Sequence, residues 1–402
     1  MTGPDRLSSR AAGRATLARQ LLLDRADLPV MDAVTHLAGL QAQAPDAPYV
    51  GLWSRLSRFD ASELAQAIAA RDAVRVPLMR ATLHLVTAAD CAAFRPWVQP
   101  VLDRGFAGQA FAGQLAGVDI DRVIGAAAAM LAEAPMTRAE LGRALASQWP
   151  GRDPVALAYA VTYLFPVVQV PPRGIWGGRG PARWTGAESW LGRGLDQHPD
   201  PERLFVRYLA AFGPASVKDA QTWSGLTRLH EVADRLGPAL RRFRDDSGAE
   251  LLDLPDAPRP GPDIPAPPRF LPEYDNVLLS HADRSRIVPG NRPVPLPPGN
   301  GGTRGTLLVD GMLAGTWRIT RSGQLATLRI DTFARLARPD SSAVTEEGAR
   351  LLAFVAPGSG PDVVLAVAPS APPAPPAPPE LVISRVCVGQ TGQIGRQGGQ
   401  KS

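Results

Sequence analysis

The sequence predicts an α+β protein: three tandem helix-rich units, each ending in a short β-hairpin, are followed by a small β-rich domain. Two observations lead to this prediction. The order of amphipathic helices and then two short strands occurs three times in the first 255 residues, with little residue identity between copies. A Pro-rich linker at 255–268 then precedes a region of β-hairpin signals.

The first unit, residues 1–116, is the most elaborate of the three. Its apolar periodicity predicts four helices and then two strands. The predicted helices lie near 9–24, 30–40, 48–56 and 61–70, and the strands near 74–79 and 83–86.

The second unit, residues 117–195, is the clearest copy. Thr137 and Glu140 have the spacing of a capping box, which starts a helix. The other predicted elements are helices at 119–132 and 153–165 and strands at 167–170 and 182–184, around a Gly-rich tip at 174–180. Three helices followed by a hairpin is the winged-helix arrangement, a relative of the helix-turn-helix.

The third unit, residues 196–255, repeats that order in shorter form. A helix at 201–212 is stopped by Gly213 and Pro214, and Ser216 then caps the next helix. A helix at 226–236 and a hairpin turning at 246–248 complete the unit. The sequence therefore predicts three tandem winged-helix units.

Residues 256–368 contain the linker and the β-rich domain. Asp310-Gly311, between two apolar runs, is a type I′ hairpin signal, and Ser322-Gly323 marks another turn. A helix at 342–354 and a strand at 363–367 follow. Residues 369–402 consist of Ala-Pro-Pro repeats and then Gly/Gln-rich sequence, a composition typical of a spacer and a disordered tail.

Composition limits the possible partners of the chain. There are 43 Lys and Arg residues against 38 Asp and Glu, so the net charge is mildly positive and a polyanionic partner is permitted. Cys91 and Cys387 are too few for a disulfide framework or a four-ligand zinc site. The five histidines show no ligand spacing, so we expect no metal and no cofactor. We find no signal segment and no apolar run of about 20 residues, which predicts a cytoplasmic protein that does not enter the membrane.

Gln41 and Gln43 flank one alanine where the second helical pattern ends. A glutamine amide has no useful pKa near neutrality and cannot act as a general base. Each amide nevertheless offers one carbonyl acceptor and one amine donor, which is enough to hold a water molecule. The same pair could simply cap the preceding helix. Asp46, just beyond the pair, could act as a base, although we expect it to cap the helix that begins near Ala47.

Several short blocks occur in a fixed order along roughly residues 5–368: 40–43, 47–56, 78–86, 213–217, 223–226, 269–275, 281–284, 309–311 and 314–317. This ordered set resembles the AlkZ-like DNA glycosylases of bacteria. In that family the glutamine–apolar–glutamine tripeptide is the catalytic motif, which implies catalytic roles for Gln41 and Gln43. A sister branch, the YcaQ-like enzymes, carries Asp in place of the second glutamine. The resemblance also implies three winged helices curved around DNA.

The function that we expect from this resemblance is excision of alkylated purines from double-stranded DNA by a monomeric enzyme. Cationic N7 or N3 adducts would be the substrates, including bulky adducts and interstrand crosslinks. A monofunctional enzyme is expected because neither lysine, Lys218 or Lys401, has a nucleophile signature around it. The resemblance alone implies a setting in DNA repair or in antibiotic self-resistance.

Seven further residues are candidate DNA contacts. Arg80 and His84 share one face of a predicted strand, and the others lie in a wing or in a loop with suitable basic and aromatic composition. The seven are Arg80, His84, Arg173, Trp176, His281, Arg284 and Arg286.

Two other classes of function remain open. A non-catalytic winged-helix DNA-binding protein, such as a transcription regulator, would bind DNA without cleaving a glycosidic bond. No predicted helix shows the polar stripe typical of base reading, which argues against a regulator. An enzyme acting on a small molecule would show no salt-dependent affinity for DNA.

Overall fold

The computed structural model describes residues 5–291, 294 and 304–368, and it has the mixed α+β fold that the sequence predicts. The predicted tail, 369–402, lies outside the described residues. Among the described helices, none has the length and apolar character that crossing a lipid bilayer requires.

The first unit differs from the prediction at the glutamine motif. The helix predicted over 30–40 ends at His36, because Ala38 and Gly39 adopt left-handed φ angles of 54° and 88°. Three helices after residue 87 were not predicted. The elements are β1 (Asp5–Arg6), α1 (Ser9–Arg19), α2 (Val30–His36), β2 (Leu40–Gln41), α3 (Ala47–Trp53), α4 (Ala61–Ala69), β3 (Ala73–Pro77), β4 (Leu83–Thr87), α5 (Ala88–Trp97), α6 (Gln99–Ala107) and α7 (Ala110–Gln114).

The second unit follows the prediction closely. The capping box is confirmed, since Thr137 Oγ1 accepts from the Glu140 amide and Glu140 Oε2 accepts from the Thr137 amide. The elements are α8 (Ile120–Glu133), β5 (Met136–Thr137), α9 (Arg138–Gln148), α10 (Pro154–Leu164), β6 (Val167–Val170), β7 (Arg183–Gly186) and α11 (Ala187–Leu191).

The third unit contains the predicted helices and hairpin. Ser216 and Asp219 form a reciprocal capping box at the start of the second helix. The elements are α12 (Pro201–Phe212), α13 (Val217–Ser224), α14 (Leu229–Leu236), β8 (Arg241–Arg244) and β9 (Glu250–Asp253).

The β-rich region is a five-stranded sheet with one long helix. Asp310 and Gly311 have φ angles of 47° and 72°, which confirms the type I′ turn. The strand order is β10-β11-β12-β13-β14. The elements are β10 (Arg269–Leu271), β11 (Gly305–Val309), β12 (Met312–Ser322), β13 (Leu325–Thr332), α15 (Arg338–Val355) and β14 (Pro361–Val367).

The hairpins of the first two units share one six-stranded sheet, with the order β2-β4-β3-β6-β7-β5. The pairing of Arg75 with Gln169 joins the two units within this sheet. In the third unit, β8 lies between β1 and β9 in a separate three-stranded sheet. The glutamine motif therefore lies at the edge of a sheet that extends into the second unit.

The Pro-rich segment packs against α1. Arg10, Arg14 and Arg19 of that helix donate to the carbonyl oxygens of residues 262, 264 and 258. Leu17 and Leu22 belong to the same apolar cluster as residues of the β-rich region. The first unit and the β-rich region therefore share a core.

Replacing Asp253 with alanine is expected to destabilise the protein by about 3–5 kcal/mol. Asp253 is fully buried and accepts from Arg19 at 2.6 and 2.9 Å and from Arg259 at 2.6 Å. Its loss leaves two guanidinium groups without their carboxylate. Urea unfolding measures the effect, and Asp27→Ala, which breaks an exposed pair with Arg58, is the matched control. Equal effects of the two substitutions would contradict this account.

Candidate active site

The glutamine motif begins on a strand and ends in a bend. Gln41 lies opposite His84 of β4, and the Ala42 amide donates to the Leu83 carbonyl at 2.7 Å. Gln43 follows in the bend that leads into α3. Gln41 is 6% exposed and Gln43 is partly exposed, so the second glutamine is the more accessible of the pair.

Arg80 holds the side chain of Gln41. It lies in the short 3₁₀ turn between β3 and β4 with a left-handed φ of 56°. Its Nη2 donates to Gln41 Oε1 at 2.8 Å and to Asn276 Oδ1 at 3.0 Å. Its Nη1 donates to the Trp223 carbonyl at 2.8 Å. Arg80 was expected to contact DNA, and the structure instead directs its guanidinium to three acceptors within the protein.

Arg75 holds the main chain of the same motif. Its Nη2 donates to the Ala42 carbonyl at 2.7 Å, while its Nε and Nη1 are buried without hydrogen-bond partners. Burial lowers the pKa of Arg75 to about 10, and the charge of Arg173 contributes in the same direction. Arg75 therefore remains protonated near neutral pH and lies next to the main chain of the motif.

Residues 272–276 contribute to the site, a role that sequence reasoning missed. Asn276 shares Arg80 with Gln41, and its Nδ2 donates to the Gly39 carbonyl at 3.3 Å. Asp275 forms a buried bidentate ion pair with Arg55 at 2.8 and 2.9 Å. A cavity of about 10 Å³ next to Gln41, lined in part by Asp275 and Asn276, has room for about one water molecule.

Two carboxyl groups near the motif have raised pKa values. Partial burial raises the pKa of Asp46, although the positive charges of Arg75 and Arg173 oppose the shift. Burial also raises the pKa of Glu273, and the negative charge of Asp46 adds to the shift. The Asp46 side chain makes no capping hydrogen bond to α3, so the expected cap is wrong. Asp46 and Glu273 are therefore carboxyl groups of raised pKa in the segments that flank the site, and Asp275, paired with Arg55, lines the cavity itself.

The family follows from a comparison with known proteins. The model of the family described as DNA glycosylase AlkZ-like matches residues 34–354, most of the chain. The chain belongs to the AlkZ-like DNA glycosylase family. Its fold is similar to that of the Streptomyces sahachiroi DNA glycosylase AlkZ, with a TM-score of 0.65 and 20% identity, over 90% of this chain and 100% of that one. No curated protein sequence matches the chain.

Two histidines expected to contact DNA in this AlkZ-like protein are buried. His84 is 0% exposed, and its Nδ1 lies 3.0 Å from the Thr82 carbonyl. His281 is 2% exposed, and its Nε2 lies 3.1 Å from the Phe212 carbonyl. Burial lowers the pKa of His84 to about 3 and that of His281 to about 4. Both rings are neutral near pH 7 and lie too deep for direct contact with DNA, which corrects that expectation.

The other expected DNA contacts lie in two regions. Trp176 packs between Tyr49 and Phe354, with ring centroids 4.9 and 5.1 Å away, so it is part of an aromatic cluster and not a free wing tip. Arg173 is partly exposed beside it, and its Nη1 donates to the Gly180 carbonyl at 3.2 Å. Arg284 and Arg286 are also partly exposed, and Arg286 donates to the Pro214 carbonyl. Their contact with DNA stays a prediction.

The described residues contain no group of three His, Cys, Asp or Glu side chains arranged to hold a metal ion. The site that they build is a pair of amides, one buried and one partly exposed, supported by two protonated arginines. Such a site can position a polar molecule, but its glutamines cannot carry a proton.

Proposed function

We propose that this AlkZ-like protein is a monofunctional DNA glycosylase that hydrolyses the N-glycosidic bond of alkylated purines in double-stranded DNA. Its substrates would be N7- and N3-alkylated purines, including bulky adducts and interstrand crosslinks. The observation that carries the proposal is the motif itself. Arg80 binds the side chain of Gln41, and Arg75 binds the main chain of Ala42. Gln43 is partly exposed at the edge of the sheet.

The chemistry begins with the charge of the lesion. Alkylation at N7 or N3 makes the purine cationic, so when the C1′–N9 bond breaks, its electron pair neutralises the base. The sugar becomes an oxocarbenium-like cation, as in glycoside hydrolysis. A water molecule then forms the new C1′–O bond and loses one proton to solvent. The products are the free neutral purine and an abasic site.

The lesion supplies an activated leaving group, and the two glutamines can supply what remains, which is a positioned water molecule and stabilisation of the developing charge. A positioned water molecule converts a bimolecular attack into an effectively unimolecular one. Oriented amide dipoles also stabilise charge that develops in the transition state. Neither task requires proton transfer to Gln41 or Gln43. The pair is therefore adequate for a leaving group that is already activated.

The lysine content of the described residues supports the monofunctional reaction. A bifunctional glycosylase would need an amine nucleophile near C1′ to form a Schiff base. Among the described residues the one lysine is Lys218, which lies exposed on α13, outside β2 and the bend that holds Gln43.

The direct test is incubation with a duplex that carries one N7-methylguanine, followed by alkali, which cleaves DNA at abasic sites. We expect a single alkali-dependent break at the lesion and none in the matched unmodified duplex. A break without alkali would contradict the monofunctional assignment. Salt-dependent binding without any break would favour the alternative, a non-catalytic winged-helix DNA-binding protein or transcription regulator.

A further inference from the structure

Arg80 connects Gln41 to two distant parts of the chain. Its acceptors are the side chains of Gln41 and Asn276 and the main chain of Trp223, and all three residues are at most 6% exposed. We propose that Arg80 is a positioning residue that turns the Gln41 oxygen inward, so that Gln41 serves hydrolysis as an N–H donor and Gln43 supplies the acceptor oxygen. This inference rests on the proposed glycosylase function.

The orientation of the Gln41 amide follows from the chemistry of its partner. A guanidinium group has five N–H donors and no acceptor, so only the oxygen end of an amide can face it. The bond is charge-assisted and therefore stronger than one between neutral groups. The Nε2 end of Gln41 must then point away from Arg80. The amide is fixed in one of its two possible flips.

The charge on Arg80 strengthens the N–H donors of Gln41. Two other buried arginines pair with carboxylates, Arg19 with Asp253 and Arg55 with Asp275. Arg80 binds three neutral oxygens instead. Burial lowers the pKa of Arg80 to about 10, so the group still carries its charge near pH 7. A cation bound at the oxygen of an amide polarises the whole group in a low-dielectric interior.

The two glutamines then have different tasks. An attacking water needs one lone pair free for C1′, and its other lone pair can accept from Gln41 Nε2. Its hydrogens must be donated, and the carbonyl oxygen of the more exposed Gln43 is the acceptor that the motif offers. As the C1′–O bond forms, the water molecule loses one proton to solvent on the side that faces Gln43.

A double-mutant cycle tests whether Arg80 acts through Gln41. Arg80→Met should lower the single-turnover rate on N7-methylguanine roughly 100-fold, as a misplaced group does, with duplex Kd within a few-fold of wild type. The same substitution in a Gln41→Ala background should cause no further loss. Multiplicative losses, or a weaker Kd with a smaller salt slope, would overturn the proposal by showing a direct contact with DNA.

Arg80→Lys keeps the positive charge at this position, so it tests the proposal even if Arg80→Met does not fold. Its ammonium lacks the planar fork that reaches two acceptors, so we expect a normal melting temperature and a rate at least about tenfold below wild type. A wild-type rate in this variant would show that charge alone suffices, and would overturn the positioning role.

Replacing each glutamine with glutamate distinguishes the role of Gln41 from the role of Gln43. Gln41→Glu keeps oxygens for Arg80 but removes both N–H donors, so it should be as slow as Gln41→Ala while remaining folded. Gln43→Glu keeps an acceptor and should be much faster than Gln43→Ala. A fast Gln41→Glu variant would overturn the division of tasks alone. A wild-type protein without activity on any alkylated duplex would overturn the proposed function as well, so the two failures are distinguishable.

Discussion

Replacing Gln43 with alanine is expected to abolish excision of N7-methylguanine, while duplex affinity changes by no more than a few-fold. In the proposed mechanism Gln43 positions a water molecule that matters chiefly in the transition state, so its loss should lower the rate of the chemical step and not binding. Gln41→Ala should slow excision to a lesser degree. Single-turnover kinetics at saturating enzyme measures the rate, and equilibrium binding to the same duplex measures the affinity.

Gln66→Ala is a suitable control for both variants. Gln66 is exposed on α4, outside the motif, so the same loss of an amide there should leave rate and affinity unchanged. If Gln41→Ala and Gln43→Ala both excise at the wild-type rate, the catalytic assignment of the motif is wrong. A parallel loss of affinity in either variant would instead assign that glutamine to binding.

Lesion charge is expected to determine the excision rate more than lesion size. N7-alkylguanine and N3-alkyladenine should be removed, whereas uracil, hypoxanthine and 1,N6-ethenoadenine should be removed slowly or not at all. The cationic bases leave as neutral molecules, but the neutral bases need a proton that Gln41 and Gln43 cannot supply. A single-turnover panel on oligonucleotides of one sequence, near neutral pH, compares them directly.

The structure limits which groups could supply such a proton. The lowered pKa values of His84, about 3, and His281, about 4, leave both rings neutral and without an acidic proton to donate near pH 7. Asp46 and Glu273 have raised pKa values and would be the acids to examine. Comparable rates for neutral and cationic bases would contradict the prediction. If such rates also rose at lower pH and fell in Asp46→Asn or Glu273→Gln, one of these carboxyls would be the acid.

Local features of the fold were predictable because their signals lie within a few residues of one another. The capping boxes at Thr137 and Ser216 and the turn at Asp310 were all predicted and confirmed. The end of α2 was placed too late because the left-handed turn already begins at Ala38, one residue before Gly39. The helices α5, α6 and α7 were missed in an Ala- and Gly-rich stretch that lacks a clear apolar period.

The candidate site was predictable only in part. Gln41 and Gln43 stood out through the family resemblance, since a Q-x-Q tripeptide carries little information alone. The contact between Arg80 and Asn276 joins residues 196 positions apart, and no local pattern reports such a pair. The alternation of Arg80 and His84 predicted a shared strand face, which is wrong, because Arg80 lies in the 3₁₀ turn and only His84 lies on a strand. The solvent exposure of Arg80 and His84 depends on which elements of the fold cover them. The covering elements include α13 and residues 272–276, which are distant from both residues in sequence.

The long-range contacts of the first unit determine when the protein can become active during synthesis. β1 pairs with β8, Arg80 donates to both Gln41 and Asn276, and Arg25 donates to Glu347 at 2.6 Å. The ribosome makes the motif by residue 43, but Asn276 and Glu347 are made only much later. Contacts of such sequence separation form late and slowly. A nascent or prematurely terminated chain therefore carries both glutamines without the arrangement that orders them, and the proposed base excision would await synthesis of the third unit and the β-rich region.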